Sequence, residues 1–130
     1  MKISVEEINR ITGIILDAAV VVHKEMGSGL LESVYEYCLS KELTNRGIKI
    51  QAQFSVPLFY KGHALEKDFR LDMLVENEII IEVKAVETIL PVPAAQIISY
   101  LKITNKRVGV LINFNVPLLK NGFTRYVNNL

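Results

Sequence analysis

Residues 69–85, FRLDMLVENEIIIEVKA, constrain this chain more than any other stretch. Two apolar runs flank Glu76-Asn77-Glu78, a pattern that predicts an antiparallel hairpin with a three-residue turn. Centring the turn on Asn77 sets Asp72 opposite Glu82, each five residues from the centre. Side chains alternate along a strand, so Glu82 and Lys84 share a face, and the cross-strand partner Asp72 shares it too. A slip of one residue would break this pairing. In the predicted register, two carboxylates and an ammonium converge inside an otherwise apolar hairpin, where burying charge is costly.

The rest of the chain reads as a frame for that hairpin. The 130 residues suffice for one domain with a hydrophobic core and are too few for two, so residues 1–130 are read as a single domain. Half the residues are hydrophobic and 22% are charged, the balance of an ordered globular protein. A net charge of +1 gives no global field for a polyanion, so binding to nucleic acid must rest on a local patch. The lone Cys38 excludes an intramolecular disulfide and fits a reducing compartment. The apolar segment 11–23, ITGIILDAAVVVH, is too short to span a membrane and is interrupted by Asp17, so a buried helix is expected. These features together predict a soluble, cytoplasmic protein.

Ser4 as N-cap, with Glu6 and Glu7 in the first turn, predicts a helix to about Met26, broken by Gly27-Ser28-Gly29. A second helix is expected over 30–46, with Gly29 as N-cap, Leu31, Val34, Tyr35 and Cys38 as its apolar stripe, and Gly47 as its stop. Residues 48–60 alternate as a strand does and end at the turn signal Lys61-Gly62; residues 63–67 lead into the hairpin. Pro91 and Pro93 introduce a helix over 94–103. The apolar run 107–114 suits a buried strand, parallel to 79–85 across that helix. The tail after it carries no clear pattern. The order α-α-β-β-β-α-β predicts an α/β or α+β fold with a mixed sheet.

Asp72, Glu82 and Lys84 have the chemistry of a Mg²⁺ site, because hard cations take oxygen ligands and Mg²⁺ uses one or two carboxylates with water. The competing reading is a cross-strand salt bridge on a solvated face. Glu32, at the start of the second helix, either serves the helix dipole or points into a cleft. Gln96 and Tyr100 face one way at i, i+4 spacing and either bind phosphate or form a polar helix rim. His23 reads as a surface or capping residue. The glycines at 27 and 29 lack the flanking strand and Lys-Ser/Thr pair of a phosphate-binding loop.

Taken in order, these landmarks resemble the GxxExxY family of the PD-(D/E)xK nuclease superfamily. The motif stands as Gly29-Leu-Leu-Glu32-Ser-Val-Tyr35, followed by Asp72, Glu82-Val83-Lys84, Gln96-x-x-x-Tyr100 and VGVLINF. The Gln-x-x-x-Tyr element is similar to that of RecB-like nuclease domains. The resemblance implies a restriction-endonuclease-like αβββαβ core, here with an extra N-terminal helix. It further implies Mg²⁺ or Mn²⁺ held by Asp72, Glu82 and the Val83 carbonyl, with Glu32 reaching the metal or its water shell. Lys84 would position the hydrolytic water, and Gln96 and Tyr100 would steady the site and the scissile phosphate. Two departures stand out. Leu71 occupies the place of the proline that names the superfamily, and Pro93-Ala94 replace a His-Glu pair common in the family.

The reading favoured by the sequence is therefore a metal-dependent phosphodiesterase acting on nucleic acid, with DNA as the polymer and no membrane partner. Its rival is a non-catalytic nucleic-acid-binding or adaptor module that retains the fold. A two-carboxylate glycosidase fails on the lysine and on the absence of tryptophan for stacking on sugar. A homodimer is left open, since the 108–119 run could serve as core or as partner surface.

Overall fold

The computed structural model describes residues 2–130. Its elements are α1 (Val5–Met26), α2 (Glu32–Asn45), β1 (Ile50–Tyr60), β2 (His63–Val75), β3 (Ile79–Lys84), α3 (Pro91–Thr104), β4 (Val108–Asn113), a 3-10 turn (Leu119–Gly122) and β5 (Phe123–Val127). The strands form one mixed sheet in the order β1-β2-β3-β4-β5, antiparallel except for the parallel β3–β4 pair. The expected αβββαβ core is present as α2 to β4, preceded by α1: an α+β, restriction-endonuclease-like arrangement.

Two apolar clusters make this a three-layer structure. On one face of the sheet, α1 and α2 cover Met73, Val75, Ile79, Ile81, Val83, Val108, Val110 and Ile112. On the other, Ile97 and Leu101 of α3 pack on Leu74, Ile80 and Leu111. The β3 and β4 strands are covered on both sides, which is why they read as unbroken apolar runs. The apolar segment 11–23 is the middle of α1, with Ile11, Ile15, Ala18, Ala19 and Val22 buried. No helix among the described residues is long and apolar enough to cross a membrane.

The ends of the elements follow local chemistry, with some corrections. The Ser4 hydroxyl accepts the Glu7 N–H at 3.1 Å, and Gly27 ends α1 at φ 75°, as its sequence predicts. The start of α2 differs: Leu31 is the N-cap in place of Gly29, Glu32 is the first helical residue, and Leu31 is 74% exposed. The buried stripe is Tyr35, Leu39 and Leu43, because Tyr35 anchors the preceding loop and sets which face of the helix turns inward. The Tyr35 hydroxyl donates to the Gly27 carbonyl at 2.6 Å and accepts the Leu30 N–H at 3.1 Å. Its ring stacks on Phe114 with centroids 4.5 Å apart.

Three further expectations shift. Residues 63–67 belong to β2, joined to β1 by Lys61-Gly62 with φ of 48° and 80°, the positive angles of a two-residue hairpin turn. The third helix starts at Pro91, not 94, since the first turn of a helix has no use for the missing proline N–H. The tail forms the 3-10 turn and an edge strand beside β4. A side chain at Gly122 would overlap the Asn113 carbonyl, so the turn can lie against the end of β4.

The hairpin register is as predicted: Met73 faces Ile81, Leu74 faces Ile80 and Val75 faces Ile79 across the turn. The β1–β2 ladder holds a second feature. Its register is constant from Ile50↔Val75 to Pro57↔Asp68, yet the Gln53–Asp72 pair is missing and Gln53 has φ 51°. Alternation breaks there. Leu71 belongs to the α3-side cluster and Met73, two residues on, to the opposite one; Phe54 and Ile50 divide in the same way. Such irregularities re-aim side chains, and this one falls at Asp72.

Candidate functional site

Continuing the β2–β3 register by one pair sets Asp72 level with Glu82. Asp72, half-buried, accepts the Val83 N–H at 2.7 Å through Oδ2, so its carboxylate is fixed to the backbone of β3. Glu82 is only 9% exposed, and its Oε1 is buried with no hydrogen-bond partner. Burial, and then the charge of Asp72, pushes the Glu82 carboxyl up to about 9, while Lys84 opposes the rise. Lys84 ends β3 half-buried and takes part in none of the ion pairs among the described residues. The salt-bridge reading predicts such a pair, and none forms among the described residues.

Glu32 reaches the same end of the sheet from the start of α2, where its Oε2 accepts the Ala85 N–H at 3.3 Å. Tyr35 holds that start in place through its bonds to the Gly27–Leu30 loop. The parts of the Gly29–Tyr35 motif thus have separate duties: Gly29 turns at φ 93°, Glu32 meets the strand end, and Tyr35 braces both. Asn113, buried at the end of β4, plays a similar part for the segment beyond Lys84. Its Nδ2 donates to the Val86 carbonyl at 2.8 Å, and its Oδ1 accepts the Val86 N–H at 3.1 Å.

Sequence reasoning missed Glu36. It lies one turn after Glu32 on α2, lines a cavity of about 250 Å³ with Asp72, Gln53, Ser33 and Ser40, and accepts the Gln53 amide at 2.7 Å. Burial, then the Asp72 charge, raises its carboxyl to about 7, with the Gln53 bond and Lys84 pulling the other way. The i, i+4 spacing from Glu32 was a signal in the sequence. The kink at Gln53 that brings β1 to it was not.

Tyr100 is half-buried on α3, stacked on Phe69 of β2 with centroids 4.3 Å apart. Burial raises its phenol, and the Glu82 and Asp72 charges add to the rise, which puts the hydroxyl within their field. Gln96, a turn earlier, is exposed, and its side chain makes no hydrogen bond among the described residues. Asp72, Glu82, Val83, Lys84, Glu32 and Tyr100 therefore gather at one end of the sheet, whereas Gln96 has no contact that ties it to them. His23 lies apart, half-buried, with Nε2 2.8 Å from the Val116 carbonyl oxygen.

The donor set fits a hard divalent cation in part. No three His, Cys, Asp or Glu side chains close on one point among the described residues. Mg²⁺ needs only one or two carboxylates, however, and completes its shell with water. The unpartnered Glu82 Oε1 beside Asp72 is the kind of buried oxygen a cation satisfies.

Comparison with known proteins bears on the fold and family. No curated protein sequence matches the chain. A solved structure titled "Crystal structure of SSO0001" aligns over 89% of this chain and 76% of that one, at 14% identity and a TM-score of 0.42, a likeness that carries no argument. The family profile of the PD-(D/E)XK nuclease superfamily matches residues 9–126. That span takes in the whole αβββαβ core and every residue gathered at the Asp72–Glu82 end of the sheet, and the chain belongs to the PD-(D/E)XK nuclease superfamily.

Proposed function

We propose that this protein is a divalent-metal-dependent nuclease that hydrolyses phosphodiester bonds, with DNA as its polymer and Mg²⁺ or Mn²⁺ as its ion. The observation that carries the reading is Glu82, a buried carboxylate with an unpartnered oxygen, set level with Asp72. Nucleases of this superfamily generally use divalent metal ions. Asp72 and Glu82 would hold the ion, with the Val83 carbonyl as a third ligand and Glu32 at its water shell. Bound there, a cation supplies an acidified water and neutralises charge on the phosphoryl oxygens. Lys84, engaged in no ion pair among the described residues, would orient the attacking water and offset charge on the phosphorane. Tyr100 would contact a phosphate oxygen or a water, since a phenol is a poor ligand for Mg²⁺ at neutral pH. Gln96 would meet the substrate from the rim. Glu36 joins the set as a carboxyl that titrates near neutrality beside Asp72. Residues 1–130 would act as a single nuclease-like domain, and within the superfamily the Gly29–Tyr35 motif is similar to that of GxxExxY proteins. The free Cys38 fits the reducing cytoplasm.

The test is calorimetric titration with Mg²⁺ and Mn²⁺, followed by cleavage assays on single- and double-stranded DNA and RNA. Metal binding with cleavage supports the reading; no cleavage of any substrate with either ion refutes it. A second reading has one observation in its favour. Gln96 is exposed and unanchored, and among the described residues no third carboxylate closes on the Asp72–Glu82 pair. A non-catalytic nucleic-acid-binding module would keep Glu82 protonated against Asp72 and take up no metal at neutral pH.

A further inference from the structure

The β1–β2 hairpin does not stop where the site does. Beyond Asp72, β3 leaves the sheet while β1 and β2 continue as a pair, with Val56 and Phe69 the last residues packed on the α3-side cluster. Residues 57–68 then form a free two-stranded ribbon, exposed throughout except for half-buried Leu58. At about 3.3 Å per residue, it reaches roughly 20 Å past the packed part, outward from the site end of the sheet. A ribbon of two strands with neither face covered is marginal alone, and its side chains serve no core.

Those side chains are unusual for solvent. Phe59 is 64% exposed, Tyr60 62% and Leu65 48%. Lys61 at the tip lies over the Tyr60 ring, 5.4 Å from its centroid, and Lys67 and Arg70 follow on the returning strand. Glu66 and Asp68 also lie on the ribbon, and Asp68 is engaged by the Ser55 hydroxyl. Pro57 removes one donor from the outer edge, which disfavours addition of another strand there.

We propose that this ribbon is a DNA-binding arm that enters the major groove of a B-form duplex whose backbone lies at the Asp72–Glu82 site. The proposal rests on the nuclease reading above and adds a substrate class to it. The major groove of B-DNA, about 12 Å wide, admits a two-stranded ribbon, whereas that of A-form RNA is too deep and narrow. Tyr60 and Phe59 are neighbours in one strand and so face opposite sides, which suits contact with two groove walls better than a single stacking platform for separated bases. The lysines would meet phosphates along the groove. The arm is continuous with the site through β2, so a duplex seated on one is presented to the other.

The test uses the full chain in EDTA and measures fluorescence anisotropy with three probes: a mixed-sequence DNA duplex, one of its strands alone and the RNA duplex of the same sequence. Two variants carry exposed substitutions only, Phe59→Ser with Tyr60→Thr, and Lys61→Glu with Lys67→Glu. The wild type should prefer the DNA duplex. Each variant should lose roughly tenfold in duplex affinity while Mg²⁺ affinity by calorimetry stays the same. The lysine variant should also shallow the salt dependence, by about 0.9 for each phosphate it no longer neutralises. Equal duplex binding by wild type and variants overturns the arm and leaves the nuclease reading intact. So does a wild-type preference for single strands or RNA, or a wild-type dimer that the arm variants dissociate without change in DNA affinity. A wild type that binds none of the three probes in EDTA and cleaves none of them with Mg²⁺ or Mn²⁺ overturns both.

Discussion

Glu82→Gln should stabilise the metal-free protein, and by an amount that depends on pH. Below about pH 4.5, Glu82 is protonated whether the chain is folded or not, so it contributes nothing to the pH dependence. As pH rises further, the unfolded chain releases the proton while the folded site keeps it up to about 9. Folded stability therefore falls across that window. The sign is that of a carboxyl whose folded pKa is raised. At pH 7 the gap to 4.5 corresponds to at most about 3.5 kcal/mol, and at pH 5 to under ~1 kcal/mol. Glutamine has nearly the shape of the protonated acid and keeps a donor for Asp72, yet has no proton to lose. The variant should gain ~1–3 kcal/mol over wild type at pH 7 in EDTA, worth several degrees in Tm for a chain of this size, and little at pH 5. With Mg²⁺ in excess the order should invert, because only the wild type gains from binding. Urea denaturation of both proteins from pH 5 to 8.5, with EDTA and then with Mg²⁺, reads all of this. A stability gap that does not change with pH, or a variant less stable than wild type at pH 8 without metal, would refute the electrostatic account of Glu82.

Tyr35→Phe keeps the stack on Phe114 but leaves the Gly27 carbonyl and Leu30 N–H without their partner, so chemical denaturation should show a loss of ~1–2 kcal/mol. Turnover should fall too, since the start of α2 carries Glu32. Tyr100→Phe removes one hydroxyl and little volume; metal affinity by calorimetry should hold, while the cleavage rate drops by about 1–3 kcal/mol of transition-state stabilisation. Equal rates would remove Tyr100 from the site. Glu36→Gln should flatten the part of the metal-free stability profile between pH 4.5 and 7, in the same direction as Glu82→Gln. Because Glu36 is only half-buried, solvent screening keeps the change under ~1 kcal/mol, and an unchanged profile in urea titrations would exclude it from the coupled set.

Local pattern carried a large share of this protein. Two apolar runs closed by the short turn Glu76-Asn77-Glu78 determined the β2–β3 register, and with it the meeting of Asp72 and Glu82, because the length and centre of a turn are short-range properties. The crossover through α3 to a parallel β4 was legible for a similar reason: a parallel neighbour requires a long connection, and the chain offers one there. The tertiary structure decided what depends on contacts between distant residues. Leu31 belongs to the helical stripe by spacing but is exposed, since the Tyr35 bonds to Gly27 and Leu30 set the rotation of α2. The tail gained a strand only because β4 presents an open edge to it. The aim of Asp72 depends on the kink opposite Gln53, a break in alternation with no mark in either strand's own sequence. Glu36 enters the site through the same kink, which carries Gln53 to α2. Strand period is written residue by residue, whereas a kink shared by two strands exists only once they pair.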